Sequence, residues 1–217
     1  MRRQNGFTLI ELMIGMLVGL IVLSAVGYSF LSTLRSSKDI VNSARLNRDT
    51  SVLTDVVVGE LRRTGYYPVS SSLAGFDSGF GTTEPDLLIS GSCVLYAYYD
   101  DGAASVARRG FSFVDPALNF GSVSSLTSSA CASLTTPLND VGAVRVSDFN
   151  VAINVCSDSA GNTVSAALCQ SSNVSKTYLR SISVDIDLEN ANDDTWQTRI
   201  REVVKLPNDL SPGTGKL

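Results

Sequence analysis

Histidine is missing from all 217 residues. Its absence removes the commonest general base and the commonest metal ligand. It also rules out Ser-His-Asp and Cys-His catalytic sets built within the chain. Lysine is scarce, at Lys38, Lys176, Lys205 and Lys216 only, and none has a serine three positions earlier, so the S-x-x-K dyad is missing too. No G-x-S-x-G elbow occurs. A net charge of −4 gives the chain no global attraction for nucleic acid. Proline is absent before Pro68, and no charge falls between Glu11 and Arg35. Nothing therefore interrupts a helix over that whole stretch. Cysteine is absent before Cys93.

What fills the first thirty residues is a short basic head, Met1-Arg2-Arg3-Gln4-Asn5-Gly6, then Phe7-Thr8-Leu9-Ile10-Glu11, then an apolar run through Leu23. A bilayer-crossing helix needs about 20 mostly apolar residues, and Arg2 and Arg3 hold its start on the cytoplasmic side. Glu11 is the anomaly, because a charged group at that depth costs about 2.5–3.5 kcal/mol on insertion scales. An ordinary secretory signal has a shorter apolar core that ends in a small-residue cleavage site. Gly15 and Gly19 add a G-x-x-x-G spacing that lets helices approach closely.

After Leu23 the pattern changes without a break. Leu31, Leu34, Val41, Ala44, Leu53, Val57 and Leu61 recur at spacings of three, four or their sums, which is an amphipathic stripe. One helix is predicted from residue 7 to about 64, roughly 85 Å long at 1.5 Å per residue. Residues 7–30 form its membrane part and 31–64 its amphipathic continuation. Arg62 and Arg63 suit the negative end of the helix dipole, Gly65 suits a cap and Pro68 stops continuation.

The soluble portion, 65–206, is rich in Ser, Thr, Asn, Asp and Gly, which suits a β-rich domain with many turns. Val69–Asp86 reads as a loop pinned by Phe76 and Phe80. Strands are predicted at Asp86–Ser90, Cys93–Tyr99, Val106–Val114, Gly142–Val155, Tyr178–Leu188 and Thr195–Leu206, with turns at Asp100-Asp101-Gly102 and at Asn190–Asp194. Residues 115–140 read as irregular, 157–175 as a polar loop, and 207–217 as a loose tail. Cys93, Cys131, Cys156 and Cys169 make an even count, which in an exported domain reads as two disulfides with three possible connectivities. Pairing of sequence neighbours, Cys93 with Cys131 and Cys156 with Cys169, is favoured because they are easiest to bring together. Zinc fits poorly, with neither a C-x-x-C pair nor histidine.

Three further groupings have a chemistry to weigh. Asp100-Asp101 and Asp193-Asp194 are the tight carboxylate pairs, and both fall in turn signals. Asn190, Asn192, Asp193 and Asp194 supply oxygens as a weak calcium candidate, without EF-hand spacing. Arg108 and Arg109 beside Tyr98, Tyr99, Phe111 and Phe113 are the one basic-aromatic grouping suited to nucleic acid.

Gly6-Phe7-Thr8-Leu9-Ile10-Glu11, behind a basic head and ahead of an apolar run, resembles the class III signal of type IV prepilins and pseudopilins. The resemblance implies a six-residue leader (1–6), cleavage between Gly6 and Phe7, N-methylation of Phe7, and a Glu11 that meets the N-terminal amine of a neighbouring subunit. It further implies an α+β pilin-like fold, with the long helix packed on an antiparallel sheet. The wording Ile10-Glu11-Leu12-Met13-Ile14-Gly15, the segment Arg62-Arg63-Thr64-Gly65-Tyr66 and the ending Val203-Val204-Lys205-Leu206-Pro207-Asn208 resemble PilW-like minor pilins. That implies a non-catalytic, cofactor-free subunit that primes or caps type IV pilus assembly in a tip complex. It would be stored in the inner membrane with its domain in the periplasm. Implied partners are other minor pilins, the major pilin, a tip adhesin, the prepilin peptidase and the inner-membrane platform. Nucleic acid is not expected among them. The competing readings are a minor pseudopilin of type II secretion and a membrane-anchored periplasmic enzyme or ligand-binding module.

Overall fold

The structure, a computed structural model, describes residues 8–66, 85–171, 178–191 and 193–210, the last four through their backbone alone. The leader with Gly6 and Phe7, the loop carrying Phe76 and Phe80, Asn192 and the tail from 211 lie outside the described residues. The chain divides into two units, Met1–Arg45 and Leu46–Leu217.

Helix α1 (Leu9–Leu61) is unbroken, as a proline-free stretch allows. Within the first unit its hydroxyls fold back on the backbone. Ser24 Oγ donates to the Leu20 carbonyl at 2.8 Å, Thr33 Oγ1 to Ser29 at 3.0 Å and Ser37 Oγ to Thr33 at 2.9 Å. Such i−4 bonds leave few polar groups seeking outside partners.

In the second unit Leu46, Leu53, Val57 and Leu61 are the buried face of α1. The predicted stripe is thus corrected at its start. Leu31, Leu34 and Val41 remain about half exposed, and the packed stripe begins at Leu46. Spacing alone does not say where the surface that covers a helix begins. Past Leu61 the chain turns through Gly65, whose φ of +72° is the left-handed conformation that glycine adopts freely. The Gly65 N–H then donates to the Ala97 carbonyl at 2.9 Å and the Tyr99 N–H to Tyr66 at 2.8 Å.

Two antiparallel sheets stand where one was expected. The first is a meander of β1 (Leu87–Ser90), β2 (Cys93–Asp100), β3 (Ser105–Val114), β4 (Ala117–Ser122) and β5 (Thr136–Pro137). The second joins β6 (Val144–Asp158), β7 (Tyr178–Asn190) and β8 (Asp193–Leu210) in sequence order. The segment 115–140, expected to be irregular, holds β4 and β5. β4 alternates poorly in sequence because its partner strand β3 presents Gly110 opposite Gly121 and Phe111 opposite Phe120.

One core unites the C-terminal part of α1 with a face of each sheet: Val94, Tyr96, Tyr98 and Phe111 from the first, Phe149, Ile182, Val184, Ile186 and Leu188 from the second. β2 is buried on both faces. Leu95 and Ala97 pack against Leu126 and Leu134 of the segment that crosses behind it, and Cys93–Cys131 fastens that segment. There is no room for a side chain at Gly110, where a Cβ would lie 2.4 Å from Leu95 Cδ2 and 2.7 Å from the Val94 carbonyl oxygen.

β6 is one long strand with two register shifts, Val146/Asp148 and Ile153/Val155, each a bulge that bends the ladder. The hairpin β7–β8 pairs Asn190 with Asp193, so its turn is tighter than the predicted Asn190–Asp194 and Asp194 belongs to the strand. The expected tail also starts later. β8 pairs as far as Leu210, opposite Tyr178, past a register shift that admits Pro207 on an edge strand.

Candidate functional site: the apolar helix and its anchorage

Every large apolar side chain from Leu9 to Leu31 is 51–80% exposed. A helix apolar all round needs lipid or other helices around it. By length and composition α1 is able to cross a membrane. At its first turn the Glu11 N–H donates to Thr8 Oγ1 at 3.3 Å, and the Leu12 N–H to the Thr8 carbonyl at 3.3 Å. Thr8 therefore caps the helix, and the Thr8–Glu11 spacing is that of a capping box. The carboxylate sits where the helix dipole favours it. Nothing lies within 4 Å of a Cβ built on Gly15, Gly19 or Gly27, so a neighbouring backbone is free to come close there.

At the other end of α1 a polar cluster ties the helix to the first sheet. Glu60 Oε2 accepts the Tyr96 hydroxyl at 2.8 Å, and Glu60 Oε1 lies 3.1 Å from Arg63 Nη1. Arg109 Nη1 lies 3.7 Å from Glu60 Oε2. The Arg63 guanidinium covers the Tyr98 ring at 4.0 Å, a cation–π contact. Burial, reinforced by the Glu60 carboxylate, pushes the Tyr96 hydroxyl far above the ordinary tyrosine range, so it stays a donor. An acid in the last turn opposes the helix dipole, and the two arginines and the phenol offset that cost.

Two members of the basic-aromatic grouping, Tyr98 and Arg109, take part in this anchorage. Tyr98, Tyr99 and Phe111 are buried, Phe113 packs against the core, and Arg109 faces Glu60. The acidic pairs do turn chemistry: Asp100 Oδ1 accepts the Gly102 N–H at 3.0 Å, and Asp101 accepts the Tyr66 hydroxyl at 3.0 Å. Asp193 Oδ1 accepts both the N–H and the hydroxyl of Thr195, at 3.2 and 2.6 Å. Of the calcium candidates, Asn190 is buried in the hairpin and Asp194 is exposed on β8. Among the described residues no three carboxylate or sulfur side chains converge on a point.

Two polar clasps were not anticipated. Arg180, fully buried, grips Asp86, 3% exposed, with Nη1 to Oδ1 at 2.6 Å and Nη2 to Oδ2 at 2.5 Å. Its Nη1 also donates to the Cys169 carbonyl at 3.1 Å. The start of the first sheet, the middle strand of the second and the loop closed by Cys156–Cys169 thus meet at one guanidinium. The signal was parity: Arg180 shares the inward-facing slot of β7 with Tyr178 and Ile182. The other clasp is Asn139, whose Oδ1 accepts the Leu118 N–H at 2.9 Å. Its Nδ2 donates to the carbonyls of Pro116 and Val144 at 3.1 and 2.9 Å. A buried amide with no periodic context leaves no such signal. Thr8 had one, the T-x-x-E spacing.

The N-terminal geometry and the two-sheet domain each have a match among known families. A family model described as the prokaryotic N-terminal methylation motif matches residues 1–27. A second, described as prepilin peptidase-dependent protein B, matches residues 39–206, well over half of the chain. The chain belongs to the prepilin peptidase-dependent protein B family. A type IV-like pilin from Thermus thermophilus is similar in structure at 12% identity and a TM-score of 0.47, with 76% of this chain and 98% of that chain covered. A comparison with curated proteins finds no match. As a prepilin peptidase-dependent protein the chain is type IV pilin-like, and its apolar N-terminal helix and methylation motif fit membrane anchoring.

Proposed function

We propose that this chain is a minor pilin, PilW-like, that primes or caps type IV pilus assembly within a tip complex. The observation that carries the reading is Gly6-Phe7-Thr8-Leu9-Ile10-Glu11 at the head of a helix whose apolar side chains are exposed all round. The prepilin peptidase cuts between Gly6 and Phe7, and Phe7 is N-methylated. The chain waits in the inner membrane with its disulfide-bonded domain in the periplasm, where an oxidising environment keeps both bonds. It then enters the growing filament on the membrane platform, beside other minor pilins, the major pilin and a tip adhesin. Its part is structural. Several of the domain's described polar residues serve anchorage, clasps and turns, and a histidine-free chain lacks the commonest general base.

Glu11 gives insertion its register. A carboxylate among apolar helices is costly, about 2.5–3.5 kcal/mol on insertion scales, until it meets a cation. The methylated amine of a neighbouring Phe7 is the cation at that depth. A chain out of register leaves both charges unmatched.

Mass spectrometry of the N-terminus tests the reading. N-methylated Phe7 is the expected first residue, and an intact Met1 in cells with active peptidase overturns it. Deletion of the gene separates pilus from secretion: lost twitching with normal secretion supports a minor pilin, and the reverse assigns the chain to type II secretion. Glu11→Ala is expected to be cleaved normally yet be depleted from sheared pili. Recovery at the wild-type level removes the proposed role of Glu11.

A further inference from the structure

The edge strands of the two sheets are β1, β5, β6 and β8, and the first three are closed off by devices that folded proteins use against stray pairing. β5 is two residues long. At β1 the Ile89 N–H donates to Gln170 Oε1 at 2.7 Å, so a side chain occupies that edge. β6 is bent by two bulges and covered at both ends. Its Val146 N–H donates to the Pro116 carbonyl at 3.0 Å, and its Cys156 carbonyl accepts the Val164 N–H at 2.9 Å. β8 is built differently. From Gln197 to Leu206 it follows β7 without a register shift. Among the described residues, no hydrogen bond from outside the sheet reaches the backbone of that stretch. An antiparallel edge strand turns the N–H and C=O of every second residue outward, so this edge is a continuous, unoccupied ladder.

Side chains along the edge are sorted by face. On the inner face Trp196 and Ile200 pack against the core yet stay partly exposed, so the core is open at this margin. On the outer face Arg199, Arg201 and Lys205 recur at even spacing. The Arg199 and Arg201 side chains are 67% and 71% exposed. Arg201 engages Asp185 through Nε alone, which leaves its Nη nitrogens without a partner among the described residues. β7 already shows what pairs with this strand: Asp187 opposite Arg199, Ile186 opposite Ile200 and Asp185 opposite Arg201. The pattern is acid, apolar, acid. Glu202, exposed on the inner face, calls for a cation in the next place. A charge in that position also guards an edge against indiscriminate partners.

We infer that β8 is a strand-addition site for an extended segment of a different protein. The segment lies antiparallel to Gln197–Leu206 and sets acid, apolar, acid and base opposite Arg199, Ile200, Arg201 and Glu202. Main-chain hydrogen bonds to the open edge supply affinity, and the side-chain pattern supplies selectivity. The added strand covers the exposed margin of Trp196 and Ile200. A second copy of this chain is a poor occupant. Paired antiparallel on itself, the edge sets Arg199 against Arg201, Arg201 against Lys205, or Glu202 against Glu202, and like charges directly opposite are destabilising. The inference stands on this edge and is independent of the pilin reading.

The test uses the full-length chain in detergent micelles and the end-blocked peptide Thr-Glu-Val-Val-Lys-Asp-Ile-Asp-Thr, which carries the pattern in antiparallel order. Hydrogen exchange read by mass spectrometry is expected to slow severalfold over Gln197–Leu206 when the peptide is added, with β1 and β6 unchanged. The charge-reversed peptide Thr-Lys-Val-Val-Glu-Lys-Ile-Lys-Thr should bind severalfold more weakly. Arg199→Glu with Arg201→Glu should bring the two peptides closer or invert their order. Two further peptides, N-methylated on alternate residues, separate strand pairing from plain charge attraction. The one whose methyl groups face β8 should lose binding and the other should keep it. Equal binding of those two, protection at another edge in place of β8, or no protection at all overturns the inference. So does protection of β8 that rises with protein concentration alone, which would make a second copy the occupant. Recovery of N-methylated Phe7 in the same preparation leaves the pilin reading intact while the strand-addition site falls.

Discussion

Arg180→Met should be among the most damaging single changes in this protein, and Asp86→Leu on top of it should repair most of the damage. Both partners are almost entirely out of water, and both carboxylate oxygens are engaged by the guanidinium. Removing Arg180 leaves a buried carboxylate without its counter-ion, and breaking such a pair from one side costs about 3–5 kcal/mol. The Cys169 carbonyl loses a donor as well, so the upper half of that range is expected. An exposed ion pair would be worth only about 0.2–1 kcal/mol. For a unit of this size the loss corresponds to a fall of roughly 8–20 °C in Tm. In the double variant the two charges leave together. Replacing a buried pair by apolar side chains of similar volume is often neutral or favourable, so the double variant should approach wild type. Urea unfolding of the full chain in detergent gives the numbers. Trp196, the single tryptophan, packs against the core and reports the transition. A cost below about 1 kcal/mol for Arg180→Met would refute the reasoning. So would a double variant as unstable as the sum of its singles.

Three further outcomes follow from the same geometry. Gly110→Ala forces a methyl into Leu95 Cδ2 and the Val94 carbonyl oxygen and should cost about 1–3 kcal/mol or more in the same unfolding assay. Asn139→Leu strands the Leu118 N–H and two carbonyls. At about 1–3 kcal/mol for each buried group left unsatisfied, amide exchange at Leu118 should speed up far more than exchange in β7. Asp187 is held below the usual carboxylate range, chiefly by its hydrogen bond from Arg199. A carboxyl depressed in the folded state adds stability above its unfolded pKa, near pH 4, and loses it as the pH falls through the folded value. Wild type should therefore lose a small increment of urea midpoint below about pH 4 that Asp187→Asn does not lose. The increment is small because the pair is solvent-exposed.

The elements most legible in the sequence are those with a long, clean period. Ile182, Val184, Ile186 and Leu188 announce β7, and they do line the core. The helix was legible because nothing from Thr8 to Leu61 breaks it. The start of its packed face was not, since Leu31 and Leu46 look alike until the surface that covers one of them is known. β4 escaped because its burial depends on what β3 sets opposite it, Gly110 against Gly121 and Phe111 against Phe120, a property of the pair and not of the segment. The clasps at Arg180 and Asn139 join residues far apart in the chain, and spacing rules carry no information at that range. Beside Arg108 and Arg109, Tyr98, Tyr99 and Phe111 are core residues, a placement that composition alone does not give.

The sheets are each drawn from one contiguous stretch of chain, and within each sheet every strand after the first pairs with its immediate predecessor. A chain emerging N-terminus first is therefore able to complete the five-stranded meander before the sixth strand exists, since hairpin contacts close short loops at little entropic cost. The Asp86 carboxylate is then presented early and waits for Arg180, 94 residues downstream. Until that guanidinium arrives the first sheet carries an unmatched charge at its margin. Closure of the clasp thus requires both sheets, so an intact Arg180–Asp86 contact marks a domain whose two halves have met.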